Sequence, residues 1–226
     1  MRIWDVSPGY LNRQSLLGEH RELHGLVSIL VNNKKGYSQH PETLRWVGYG
    51  WALRMRHQQI SAEMALRGYC DNTPVTLDEN PSQWPSTFID APAQQYALLQ
   101  EKYRDKEPGR IPLPSHEQPL WAQHKYSVMA RSPQEYQRIG RAVANKEIEF
   151  AELALTLTKI LREAPNEGRL WNALQHMWGY VANEAEETPN GLTALELLRA
   201  VQREAKVQEC GYLMGSTALS ELAVWC

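Results

Sequence analysis

Phenylalanine is nearly absent from this chain: two residues among 226, against eight Trp and ten Tyr. Its aromatic side chains are therefore mostly of the kind that carries a polar tip, which suits wet interfaces as well as cores. Cysteine is almost as scarce. Cys70, Cys210 and Cys226 show no C-x-x-C spacing, which argues against a disulfide framework or a zinc ribbon and fits a reducing, cytoplasmic compartment. There is no run of about 18 apolar residues, so no membrane span is expected. The opening Met1-Arg2-Ile3-Trp4-Asp5 lacks the apolar stretch of a signal peptide. No β-rich stretch stands out, and the expected fold class is all-α.

What is present is enough for one large or two small domains. About 42% of the chain is apolar, which permits packed cores. The net charge of −2 conceals an asymmetry: residues 1–69 hold nine Lys/Arg against five Asp/Glu, whereas both later segments, 70–116 and 117–226, carry an acidic excess. A nucleic acid would be met by the first third; a solvated surface is the alternative reading of so modest a charge.

Apolar residues at helical spacing predict a first helix from about Tyr10 to Asn32, with Leu16, Leu23, Val27 and Leu30 on one stripe. A second is expected from about Pro41 to Arg67. The four prolines between 70 and 92 predict an irregular wrapping segment, and 93–106 is helical again. Glu107 to Pro114 forms a linker, with the domain boundary near 115. Further helices are expected at Pro119–Arg131, after the capping pattern Ser132-Pro133-Gln134-Glu135, at 147–163, 167–183 and 191–207, and in a short tail after Ser216.

Opposite the apolar stripe of the first helix lie Gln14, Gly18, Arg21, Glu22, Gly25 and Asn32. Two glycines within a helix cost about 1 kcal/mol each relative to alanine, so a close approach by another backbone is expected there. The result is a shallow notch holding a carboxylate and a guanidinium. A plain helix–helix contact with two surface charges is the alternative.

The opening MRIWDVSPGYLNRQSLLGEHRELHGLV, the stretch NNKKGYSQHPETLRW and ALRMRHQQISAEMALRGY together resemble the pyrimidine-dimer DNA glycosylase family (endonuclease V type), over about residues 1–112. The resemblance implies a base-excision DNA glycosylase/AP lyase acting on damaged double-stranded DNA without cofactor or metal. Its nucleophile would be the α-amine of Met1, retained because Arg2 is bulky. An α-amine titrates near 7.7–8.0, so a useful fraction is neutral at pH 7. Attack on the sugar would give an imine, and β-elimination would break the strand. Glu22 takes the place of the family's catalytic glutamate. Arg2 and Arg21 match phosphate-holding arginines, and Lys34, Lys35, His40 and Arg45 add a basic loop for backbone contact. Tyr37 would stack or simply pack. Arg54, Arg56 and His57 are phosphate ligands or a solvated face. The chain departs from the phage member at Gly25, where that enzyme is basic, and in KYRDKEPGRIPLP, where it carries clustered tyrosines. Abasic-site lyase activity, which needs only the amine and a carboxylate, is therefore the firmer expectation.

LWAQHKYSVMARSPQEYQRIGRAVANK and NALQHMWGY resemble the YbgA-like family, the domain of unknown function 1722, over about residues 117–222. His124, Lys125, Tyr126, Arg131, Tyr136, Arg138 and Arg141 mix charge and aromatic rings on adjacent helices. They would bind nucleic acid or a protein partner, or lock two helices together. A non-catalytic nucleic-acid-binding or adaptor protein is the rival to the enzyme.

Overall fold

Asn12 begins the first helix by accepting the Ser15 backbone N–H on its side-chain oxygen, which satisfies one of the donors a helix start leaves without a partner. In the computed structural model, which describes residues 1–183 and 191–226, every regular element is helical, and no strand occurs among those residues. The chain divides into two units, Met1–Gly109 and Arg110–Cys226. Among the described residues no helix is long and apolar enough to cross a membrane.

The first unit contains α1 (Arg13–Val31), α2 (Pro41–Trp46), α3 (Gly50–Leu66) and α4 (Pro92–Lys102). Tyr10, expected to open α1, instead closes a short 3-10 turn over Pro8–Tyr10, whose carbonyls are held by the Arg67 guanidinium. The single helix expected over Pro41–Arg67 is two helices. Val47 is extended and Gly48 lies at φ +79°, a conformation that costs a glycine little and breaks the helix. Gly50 then lets the 77–79 segment cross α3: a Cβ there would stand 2.5 Å from a Glu79 carboxylate oxygen. Residues 70–90 form the irregular wrap that their prolines imply. Leu16, Leu23, Leu26, Leu53, Ile60 and Leu99 are fully buried at the centre of the unit.

The second unit contains α5 (Glu117–Met129), α6 (Pro133–Ala144), α7 (Phe150–Leu161), α8 (Glu167–Trp178), α9 (Ala194–Val207) and the single turns α10 (Gly211–Met214) and α11 (Ala218–Glu221). Ser132 caps α6 through the Glu135 N–H, and Thr193 with Glu196 forms a reciprocal capping box on α9. Arg110 donates to the Met214 and Ser216 carbonyls and Ile111 is fully buried, so these two residues pack within the second unit.

Candidate active site

The start of the chain runs extended along α1. In an extended chain alternate N–H groups face the same way, and in a helix residues three apart stand one turn above another. Both periods are used here. The Trp4 N–H donates to Glu19 at 3.0 Å, and the Arg2 N–H donates to Glu22. Covalent geometry then keeps the Met1 amine within about 6 Å of the Glu22 carboxylate.

Three further groups fix this end. Glu19 is 2% exposed and takes a two-pronged ion pair from Arg56 on α3, at 2.8 and 3.0 Å. Burial pushes the Glu19 carboxyl upward, against the pull of Arg56. Asp5 accepts from Arg45 on α2 and from the Gln95 amide on α4 at 2.8 Å, while its own N–H donates to Gln95. Arg2 lies over the Trp4 ring, 4.3 Å from its centroid, and pairs with Asp90. Its second terminal nitrogen, Nη2, is buried and has no hydrogen-bond partner among the described residues.

Arg21 is exposed beside Glu22, its Nε turned onto the Leu17 carbonyl. Gly18 and Gly25 lie on the same helix with nothing within 4 Å of an added Cβ. No protein backbone closes on them, so the notch is open. Lys34, Lys35 and Tyr37 belong to an exposed loop between α1 and α2, and Lys34 donates to Ser28 at 2.7 Å. Tyr37 is 70% exposed, so it does not pack. His40 caps α2, its Nδ1 accepting the Glu42 N–H at 3.1 Å.

Two arginines depart from the sequence reading. Arg45 is buried on α2 between Asp5 and Glu42, which removes it from a backbone-contacting loop. Arg56 is equally buried, spent on Glu19, the Val6 carbonyl and Gln59. A lone carboxylate or guanidinium reads as surface in a sequence; Glu42 and Gln59 stand three positions away, but Glu19, Asp5 and the Val6 carbonyl lie 37, 40 and 50 positions along the chain. Glu19, the residue that holds the chain start, carried no signal beyond its place three before Glu22.

In the second unit three of the seven candidate residues, His124, Tyr126 and Arg131, are buried. His124 is buried, its ring bonded to the Leu120 carbonyl, and burial pulls its pKa down to about 4. Arg131 is buried against Glu221 and donates to the Ser127, Leu161 and Glu163 carbonyls, which corrects its reading as a binding residue: it satisfies helix ends. Arg138 grips Glu135 on its own helix, and Arg141 is exposed. Lys125 stands 5.1 Å from the Tyr126 ring centroid and 4.9 Å from that of Tyr212. Tyr126 itself is buried, edge-on to two half-exposed tyrosines, Tyr180 and Tyr212, which stack at 4.6 Å. Sequence reading placed Lys125 and Tyr126 together but missed Tyr180 and Tyr212, which reach the cluster from other elements.

The first unit is thus a helical scaffold whose chain start is held against a helix carboxylate in an open, partly basic notch. Its residues 1–77 match a family model described as pyrimidine dimer DNA glycosylase. Residues 125–208 of the second unit match a family described as protein of unknown function (DUF1722). No curated protein and no solved structure matches the chain.

Proposed function

We propose that the first unit is a DNA-repair glycosylase/AP lyase that works through the α-amine of Met1 as its mature first residue. The observation that carries this reading is the hydrogen bond from the Arg2 N–H to Glu22, which leaves the amine one residue from a carboxylate in an open notch. The family match points to the same class of substrate, damaged DNA.

The neutral amine attacks the anomeric carbon, the glycosidic bond breaks, and the base leaves with a proton. With the base expelled, the C1′–O4′ bond breaks, O4′ takes the second proton of the attacking amine as a hydroxyl, and the C1′–N bond becomes an imine. The imine acidifies the C2′ proton; its removal breaks the C3′–O bond and cuts the strand. Glu22 stabilises the positive charge that develops on the sugar and carries protons between these steps. Arg2, Arg21, Lys34 and Lys35 hold phosphates, and exposed Tyr37 stacks on a base. At an abasic site the C1′ oxygen leaves as water in place of the base, and the same amine and carboxylate suffice. Lys125 and the stacked Tyr180 and Tyr212 give the second unit a face of its own for nucleic acid.

The test is covalent trapping. Untagged protein, with Met1 verified by mass spectrometry, is incubated with abasic-site duplex and borohydride. An adduct is expected, and Glu22→Gln or a short N-terminal extension should reduce it by roughly 10²-fold or more. Duplex that is bound but never trapped would replace the enzyme with a binding protein.

A further inference from the structure

Four side chains of the first unit close on one point away from the chain start. His20 and His24 stand one turn apart on α1, His57 comes from α3, and Asp71 from the segment that follows Gly68. Their ligand atoms all lie within 4.8 Å of one another. His24 Nε2 is 3.3 Å from His20 Nε2 and 3.2 Å from His57 Nε2. The Asp71 carboxylate is 3.1 Å from His20 Nε2 and 3.3 Å from His57 Nε2.

A tetrahedral zinc ion with bonds of about 2.0–2.1 Å separates its ligand atoms by about 3.3 Å, and three imidazoles around it have centroids about 5 Å apart. The ring centroids here form a triangle with sides of 4.6, 4.9 and 5.3 Å. Hydrogen bonding alone requires pairs; it does not require three ring nitrogens of the same kind to converge. The carboxylate is aimed by an outer layer as well. Ser61 Oγ donates to one oxygen at 3.0 Å and the Thr73 N–H to the other at 3.1 Å. The site is largely shielded: the side chains of His20, His57 and Asp71 are 14%, 3% and 13% exposed.

We propose that His20, His24, His57 and Asp71 bind a divalent ion of the zinc class. Three imidazoles and one carboxylate favour such an ion over magnesium or calcium, which take mainly oxygen ligands. Four protein ligands fill a tetrahedron, so the ion is structural. It ties α1 to α3 and to the wrap, steadying the helix that carries Glu19 and Glu22, whether or not Met1 is a nucleophile.

The test uses the full chain made without a histidine tag. Elemental analysis of zinc-replete protein should find about one ion per chain, and a chelator should lower Tm, with zinc restoring it. Cobalt exchanged into the protein should show the strong visible bands of a tetrahedral site. Asp71→Asn and His24→Gln should each lose the ion while keeping the helical circular dichroism. No uptake with no response of Tm would overturn the proposal, and so would equal uptake by both variants. Should either variant fail to fold, the cobalt spectrum of the unaltered chain decides: weak octahedral bands, or none, would sink the site.

Discussion

Arg56 with Glu19 in the first unit and Arg131 with Glu221 in the second are both buried arginine–glutamate pairs, and the two serve different ends. In the second unit Arg131 and Glu221 lie among helix termini, and the spare guanidinium donors go to carbonyls at the ends of α5 and α7. Glu221 also accepts the Trp225 indole N–H at 2.8 Å. That pair is mortar. In the first unit Arg56 and Glu19 hold something the helices do not need, the Trp4 N–H of the chain start. A buried ion pair adds little net stability over a well-packed apolar substitute. Its presence beside the chain start makes sense if the position of that start matters more than the stability gained.

Breaking the two pairs in parallel gives the largest effect. Removing one partner leaves a buried charge without its counter-ion, at about 3–5 kcal/mol. Glu19→Gln and Glu221→Gln should both lower stability by that order in denaturant titration. Only Glu19→Gln should also reduce trapping on abasic duplex, measured where both variants are still folded. Equal trapping by the two would mean that Glu19 serves only stability.

Local signals were legible in the sequence, and long-range pairing was not. Ser132-Pro133 starts its helix as read, because a cap uses residues three apart; Thr193 with Glu196 uses the same spacing but was not read, and it starts α9 within the stretch expected at 191–207. Glu22 could be found through resemblance, and the structure brings Arg2 to it. The break at Gly48 was hidden because the apolar residues of Pro41–Arg67 run on through Val47; the chain turns at Gly48, at φ +79°, and residues 77–79 cross at Gly50. Arg45, Arg56 and Arg131 read as surface because Asp5, Glu19 and Glu221, the carboxylates that bury them, lie 37 to 90 positions along the chain. His20 and His24 sit four apart, a spacing that could have prompted a search for ligands. His57 and Asp71 gave no local hint.

A second comparison concerns acid. His124 is buried and neutral in the folded second unit, with its pKa pulled down from 6.5 to about 4 by desolvation. Above about pH 6.5 neither folded nor unfolded chain carries this proton, and the group's effect is absent. Between about 6.5 and 4 the unfolded chain takes it up and the folded chain does not. Stability therefore falls with acidification by about 1.4 kcal/mol per pH unit, roughly 3 kcal/mol across the window. His124→Asn, which can still donate to the Leu120 carbonyl, should flatten the pH dependence of the urea midpoint by about one proton. An unchanged slope would mean that His124 already titrates in the folded state.

The smallest effect bears most directly on the notch. Glycine inside a helix costs about 1 kcal/mol relative to alanine, and a Cβ at Gly18 or Gly25 would touch nothing. Gly18→Ala and Gly25→Ala should therefore each raise stability by up to about 1 kcal/mol. If the helix keeps these glycines so that DNA can come close beside Glu22 and Arg21, the same variants should weaken duplex binding and slow trapping. More stable protein with poorer trapping would mark the α1 face as the place where the substrate lies. Gains in stability with trapping unchanged would move the DNA elsewhere and leave the glycines without a role, since no neighbouring backbone in the first unit approaches them.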